Sequence, residues 1–352
     1  MQKAIFLLLL VLIVFTGCSK EEEKVQDNER RETSAEEKSV PDKEAEASNY
    51  AAPLTGVESN KVANNRIIGI MVNNHSSARP QTGLSSADMV FEILAEGKIT
   101  RFLALYQSDL PEVVGPVRSA REYYFELANG YDALYIYHGA AAFINDMIIN
   151  RGIEHLNGSI YDNDGNLFER VDFRKAPHNS YLQAGAVYDV AKRKGYDVTS
   201  SVEPLEFLDE KEIDELSGEP ANHVEIVYSA DNPMEIVEFD YDKTSGKYTR
   251  YNDREKTVEK DTGEAIQVEN VFIAEAHHEV IDEAGRRAID LESGGSAYLI
   301  QKGNAQKVQW ENREGKIIPV KDGKPLGFAP GKTWINIIPS NPGIEHSVTI
   351  SN

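Results

Sequence analysis

Four stretches decide the fold: RIIGIMV (66–72), DMVFEILA (88–95), KITRFLALYQ (98–107) and DALYIYH (132–138). Each is short, rich in Ile, Val, Phe and Tyr, apolar or alternating, and bounded by turn residues, which is the pattern of a strand. Between and after them the sequence predicts helices. Ser119 can cap one that runs through Arg121, Tyr124 and Leu127 to Gly130. Residues 139–150 are alanine-rich and stop before Gly152. Residues 180–194 open on a serine and end on bases before Gly195, as a helix dipole prefers. Strands alternating with helices predict an α/β domain over residues 50–205.

The segment 206–222 is acidic, carries Pro220 and reads as a linker that separates two styles of sequence. Beyond it, runs at 224–229, 235–241, 247–251, 268–274, 297–301, 308–311 and 333–338 are separated by turns such as Thr244-Ser245-Gly246-Lys247. Many short strands with Gly, Asn and Asp turns predict a mostly antiparallel β domain over residues 223–352. The expected class is therefore α+β: an N-terminal α/β domain with a mixed sheet, followed by a β-rich domain.

The first seventeen residues read as an export signal. Lys3 supplies a positive start, residues 4–15 are uninterruptedly apolar, and Thr16-Gly17-Cys18 ends the run with small residues. The run is shorter than the ~20 residues of a spanning helix. Cys18 is the one cysteine in 352 residues and stands where a lipoprotein signal places the thiol that is acylated. No internal disulfide is possible, so the core must hold the fold. Residues 18–49 read as an acidic disordered tether: between 20 and 48, eleven acids face six bases, and Val25 and Val40 are the only aliphatics larger than alanine. The expected location is the extracytoplasmic face of the cell membrane, through a lipid anchor.

The formal charge of −21 becomes −22 when Lys3 leaves with the signal, since −21 − 1 = −22. A body of that charge is repelled by nucleic acid and by anionic headgroups alike. Nucleic acid is excluded as a partner, and any anion site must be a local basic cluster. There is no Walker loop, dinucleotide fingerprint or Gly-x-Ser-x-Gly elbow, and the sequence calls for no cofactor. Asp162-Asn163-Asp164-Gly165-Asn166 has its glycine out of place for a calcium loop and reads as a turn. His277 and His278 are strand neighbours that point to opposite faces, so no metal site is expected from them.

Residues 73–121 ask for a function. Asn73, His75, Arg79, Asp88, Glu96, Arg101, Arg118, Ser119 and Arg121 fall at strand ends or in loops beside strands, where α/β sheets bind ligands. Two guanidiniums leading into a helix N-terminus suit a phosphate or carboxylate. His178, in Ala176-Pro177-His178-Asn179-Ser180, can serve as an acid, a base or a cap. The structural alternative is that Arg118 and Arg121 pair with Asp88, Glu92 or Glu96 and simply hold sheet to helix.

Several strings carry a family resemblance: Ile70-Met71-Val72-Asn73-Asn74-His75, Ala78-Arg79-Pro80-Gln81-Thr82-Gly83-Leu84, Glu96-Gly97-Lys98-Ile99-Thr100-Arg101-Phe102, Gly115-Pro116-Val117-Arg118-Ser119-Ala120-Arg121 and Pro177-His178-Asn179. In these the chain resembles the YerB-like lipoproteins. Looser similarity continues through Asn270-Val271 and Gly331-Lys332-Thr333-Trp334. The resemblance implies a two-domain acylated lipoprotein and supplies no activity. A weaker likeness runs to the LytR-CpsA-Psr envelope phosphotransferases, in which arginines hold a polyprenyl pyrophosphate. Arg101 and Ser119-Ala120-Arg121 occupy similar places, but the proline and aspartate of that pattern are replaced by Ala120 and Glu122. Two functions stay open: a binding lipoprotein for a cell-wall polymer or envelope protein, or a phosphotransferase or hydrolase on a lipid-linked or glycan phosphate.

Overall fold

The strand segments are mostly apolar because both of their faces are covered, the condition under which strands lose their alternation. In the strand Ile68–Asn73 (β1), Ile68, Ile70 and Val72 enter one buried cluster while Met71 enters another on the opposite face. The same split holds for Met89–Leu94 (β2), with Val90 and Leu94 against Met89, Phe91 and Ile93, and for Thr100–Tyr106 (β3). Leu134–Tyr137 (β4) and His155–Asn157 (β5) complete the first half of the sheet.

The computed structural model describes residues 50–60, 62–229 and 235–352. The expected signal (1–17), Cys18 and the tether (18–49) lie outside the described residues. Among those described, no helix is long and apolar enough to cross a membrane.

The second half contributes His223–Val227 (β6), Ile236–Asp242 (β7), Lys247–Asn252 (β8), Asn270–Ala276 (β9), Gly295–Gln301 (β10), Asn304–Arg313 (β11), Lys316–Lys321 (β12), Thr333–Pro339 (β13) and Val348–Ser351 (β14). Of these, β6, β7, β8 and β14 form a separate sheet, whereas β9 to β13 join the strands of the first half. β13 lies between β9 and β2, parallel to both, with Asn270↔Thr333 and Thr333↔Met89 in register. One mixed sheet of twelve strands results, ordered β12-β11-β10-β9-β13-β2-β3-β1-β4-β5 along its length, with short strands at Lys324–Pro325 and Glu219–Pro220. Within it β3 runs against its neighbours β2 and β1, whereas β1, β4 and β5 are parallel. α/β and mostly antiparallel styles thus meet inside a single sheet.

Each face of that sheet has its own cover. Helices Glu122–Gly130 (α1) and Ala142–Asn150 (α2) place Tyr123, Tyr124, Phe125, Leu127, Ile144 and Ile148 on one face. A six-stranded sheet containing β8, β7, β6 and β14 in that order puts Val224, Ile226, Val237, Phe239 and Tyr248 into the cluster on the other. Where α1 ends, Gly130 meets the β11–β12 turn so closely that a Cβ there would stand 2.2 Å from the Gly315 carbonyl oxygen. Only glycine fits such an approach.

Three local expectations are corrected. The helix predicted from Ser119 starts at Glu122, with Arg121 as a cap residue that makes no side-chain capping bond. Residues 180–183 form a strand paired with Phe168–Arg170 and Val113–Val114, and the helix (Val187–Arg193, α3) begins only after Ala184-Gly185-Ala186. Burial of Tyr181 and Leu182 against these neighbours outweighs helix propensity, and glycine weakens the turn that would have continued it. Within the segment expected to be a linker, Asp209 and Glu212 form a capping box on helix Glu210–Asp214 (α4), and Glu219–Pro220 pairs with β11.

The two sheets are tied by a buried ion pair. Glu92 of β2 and Arg250 of β8 are both fully buried, and Arg250 Nη2 donates to the two carboxylate oxygens at 2.9 Å each. Trp334 Nε1 of β13 donates to Glu92 Oε2 at 2.8 Å, and the Thr100 hydroxyl to Oε1 at 2.8 Å. Arg250 also donates to Thr257 at 2.7 Å and lies 4.6 Å from the Trp334 ring centroid. Removing one partner strands the other charge without water, which costs about 3–5 kcal/mol. Glu92→Gln is therefore expected to lower the unfolding free energy by about that amount in urea titration, whereas Arg254→Ala on the exposed surface should stay within about 1 kcal/mol of the parent.

Candidate functional site

β1, β2, β4 and β5 all point the same way, so their carboxyl ends share one edge of the large sheet, and the loop 115–121 crosses that edge. Its backbone is fixed from both sides: Arg118 N donates to Met71 O at 2.9 Å, His138 N to Arg118 O at 2.9 Å and Ala120 N to Gly139 O at 3.1 Å. Arg101, at the start of the antiparallel β3, opens on the same edge opposite Asn73. α1 then begins directly after the loop, at Glu122.

Arg101 and Arg121 converge on Glu96. Arg101 Nη2 donates to Glu96 Oε2 at 2.8 Å, and Arg121 Nε donates to Oε1. Arg101 Nη1 also reaches the Ser119 carbonyl at 3.2 Å, so Ser119 contributes backbone where a side-chain cap was expected. Tyr124 donates from its hydroxyl to the carbonyl oxygens of Arg101 and Ile93, and Tyr123 to Leu94 O at 2.9 Å, which locks α1 to the strand ends.

Arg118 is different. Its Nε is buried without a hydrogen-bond partner, and among the described residues its guanidinium makes no ion pair. Three guanidiniums against one carboxylate leave a formal excess of two positive charges, 3 − 1 = 2, in a chain whose net charge is −21. The crowding registers in the ionisation of the group. Burial, then the neighbouring Arg121, pulls Arg101 down to about 10, and the same two causes lower Arg118. Burial pushes the Glu96 carboxyl up, but Arg121 and Arg101 outweigh it and hold the group below its ordinary value.

The histidines join from the adjoining loops. Asn73 Nδ2 lies 2.9 Å from His178 Nδ1, His75 N donates to Asn73 Oδ1 at 3.0 Å, and the His75 and His178 rings are 4.6 Å apart. His178 is lowered by burial first, then by His75, Arg118 and Arg174. Arg174, which sequence reasoning passed over, donates to the carbonyls of Ser77 and Pro80 and adds a further cation to this rim. The signal for it was only its place four residues before His178.

Two candidates are placed elsewhere. Asp88 precedes β2 while Glu96 follows it, and six strand residues span roughly 20 Å. Asp88 accepts from Gln107 N at 2.6 Å and Ser108 N at 2.8 Å, which closes the end of β3 at the opposite edge. Arg79 lies on the carboxyl side but is turned to the other sheet: Nη1 donates to Asp253 at 2.6 Å and Nε to Asn74 O at 2.9 Å. Glu92, named in the sequence as a possible partner of Arg118 and Arg121, is bound to Arg250 instead. The site that remains is Asn73, His75, Glu96, Arg101, Arg118, Ser119, Arg121 and His178, with Arg174 at its rim.

Comparison with known proteins agrees with the string resemblance. Residues 54–197 match the family model described as the N-terminal domain of a protein of unknown function (DUF3048), and residues 224–335 match its C-terminal domain. The chain is 46% identical over 304 residues to the Bacillus subtilis protein titled "Putative lipoprotein YerB", covering 85% of this chain and 88% of that one. The crystal structure of Bacillus subtilis YerB superposes with a TM-score of 0.78 at 44% identity, covering 86% of this chain and all of the other. The chain belongs to the DUF3048 family, with both of that family's domains present in order and YerB among its relatives.

Proposed function

We propose that this protein is a lipoprotein held on the outer face of the cell membrane through Cys18, and that the carboxyl edge of its large sheet binds an anionic group of a cell-envelope polymer. The relative's title supports the anchor, as do the apolar run at 4–15 and the thiol that follows it. The observation that carries the binding reading is Arg118: a guanidinium with its Nε buried and unbonded, beside two further arginines that already share the one acid. A buried donor left unbonded is costly, and a bound phosphate or carboxylate would satisfy it. An envelope protein presenting a carboxylate is the second partner the same chemistry fits.

Binding is favoured over phosphoryl transfer or hydrolysis by the state of Glu96. Pinned by two arginines and held below its ordinary value, it acts as a counter-ion and is poorly suited to accept a proton at neutral pH.

Arg118 separates binding from stability. Among the described residues its guanidinium has no ion-pair partner to abandon, so Arg118→Ala should leave the thermal midpoint unchanged while weakening cosedimentation with purified cell walls about 10- to 100-fold, the worth of one or two charge-assisted hydrogen bonds. Parent-like sedimentation of a folded Arg118→Ala protein would remove this site. Separately, Cys18→Ser is expected to shift the chain from the membrane pellet to the soluble fraction on cell fractionation. A chain that stayed in the pellet after a carbonate wash would contradict the anchor.

A further inference from the structure

On the six-stranded sheet, β6 and β7 run antiparallel with His223 opposite Asp240 and Glu225 opposite Glu238. Their alternate neighbours Val224, Ile226, Val237 and Phe239 are fully buried, so the two-residue period places the four polar side chains together on the other face. One ligand atom from each of His223, Glu225 and Glu238 lies within 4.8 Å of the others. The sheet register has built a constellation that His277 and His278 cannot, since those two are adjacent in sequence and differ in exposure.

The details are those of a prepared ligand set. His223 Nδ1 meets Asp240 Oδ1 at 2.6 Å, the carboxylate contact that orients a metal-binding imidazole, and Nε2 is left 3.9 Å from Glu238 Oε1. Glu238 is 8% exposed, and its Oε2 is buried with no hydrogen-bond partner among the described residues. Three carboxylates, counting Asp240, face one guanidinium, a formal charge of −3 + 1 = −2 when the imidazole is neutral. That guanidinium, Arg254, donates to Glu225 Oε2 at 2.6 Å and to Glu238 Oε1. It stands where a cation would stand, but it comes from the tip of the β8 hairpin and its side chain is 57% exposed. Such an exposed ion pair contributes little and is easily exchanged.

We propose that His223, Glu225 and Glu238 form a divalent transition-metal site of the zinc class, with Asp240 positioning His223 and Arg254 acting as a displaceable counter-ion. The imidazole selects zinc-like ions over calcium and magnesium, which prefer all-oxygen shells. Zinc bonds of about 2.0–2.2 Å require ligand atoms about 3.4 Å apart in a tetrahedron, which small rotations of the two glutamate side chains reach from the present separations. The fourth position is open to water or to a group on a partner. This site is on a different sheet from the arginine cluster and does not depend on the function proposed for it.

Calorimetric titration of zinc chloride into the full chain, purified from membranes in detergent without a histidine tag, tests the assignment. One equivalent should bind at micromolar affinity or tighter; His223→Ala and Glu238→Gln should each weaken it at least about tenfold, and Arg254→Ala should strengthen it. Circular dichroism identifies any variant that fails to fold, and Arg254→Ala, on an exposed turn, keeps the test decisive. No uptake by a folded Arg254→Ala protein at millimolar zinc would overturn the site, as would binding undiminished in His223→Ala.

Discussion

The bond between Glu92 and Arg250 is the constraint on which the arrangement turns. A carboxylate in the middle of a doubly covered strand is intolerable unless a cation meets it there, and the cation comes from a strand 158 residues away. Trp334, from a third strand, donates to the same carboxylate and stacks near the same guanidinium. Three segments distant in sequence therefore have one mutually satisfying geometry. β13 must lie beside β2 for the indole to reach, and the six-stranded sheet must lie over β2 and β3 for Arg250 to enter. Register and layer packing are specified together by a few polar contacts inside an otherwise apolar interior.

From that frame follows the chemistry of the edge. The parallel strands end together, and the loop 115–121 is held across their ends by backbone hydrogen bonds, by Arg101 on the Ser119 carbonyl and by Arg121 on Glu96, with Arg118 Nε left unbonded. Two arginines are neutralised in part by Glu96 and a third is not. In an acidic chain this is a local inversion of sign, and it sits where open α/β sheets bind ligands. Arginine also suits the task, since its planar fork can meet phosphate or carboxylate with two parallel bonds.

Strand positions in the first half were legible because double burial writes itself as apolar runs: β2, β3 and β4 fall within three of the four stretches read, and β1 overruns the other by one residue, Asn73. Sheet order was not. The pairing Thr333↔Met89 joins residues whose local sequences say nothing of each other, so the sequence suggested two separate sheets. Glu92 was a visible anomaly inside MVFEILA, but its partner Arg250 lies in an alternating run that looks like an ordinary surface strand. The site was legible in part: strand ends and the Arg118 to Arg121 string marked it, whereas the direction of β2 was needed to see that Asp88 belongs to the far edge. His223, Glu225, Glu238 and Asp240 were invisible for the same reason, since only antiparallel register brings i and i+2 of one strand against those of another.

Native-state hydrogen exchange tests the shared-sheet account most directly. If β13 and the buried ion pair make one cooperative core, the amides of β1, β2, β3, β9 and β13 should exchange with a common opening free energy equal to that of global unfolding. A protected first half alongside β9 and β13 amides that open several kcal/mol more easily would mean two independently folding halves, and would contradict it.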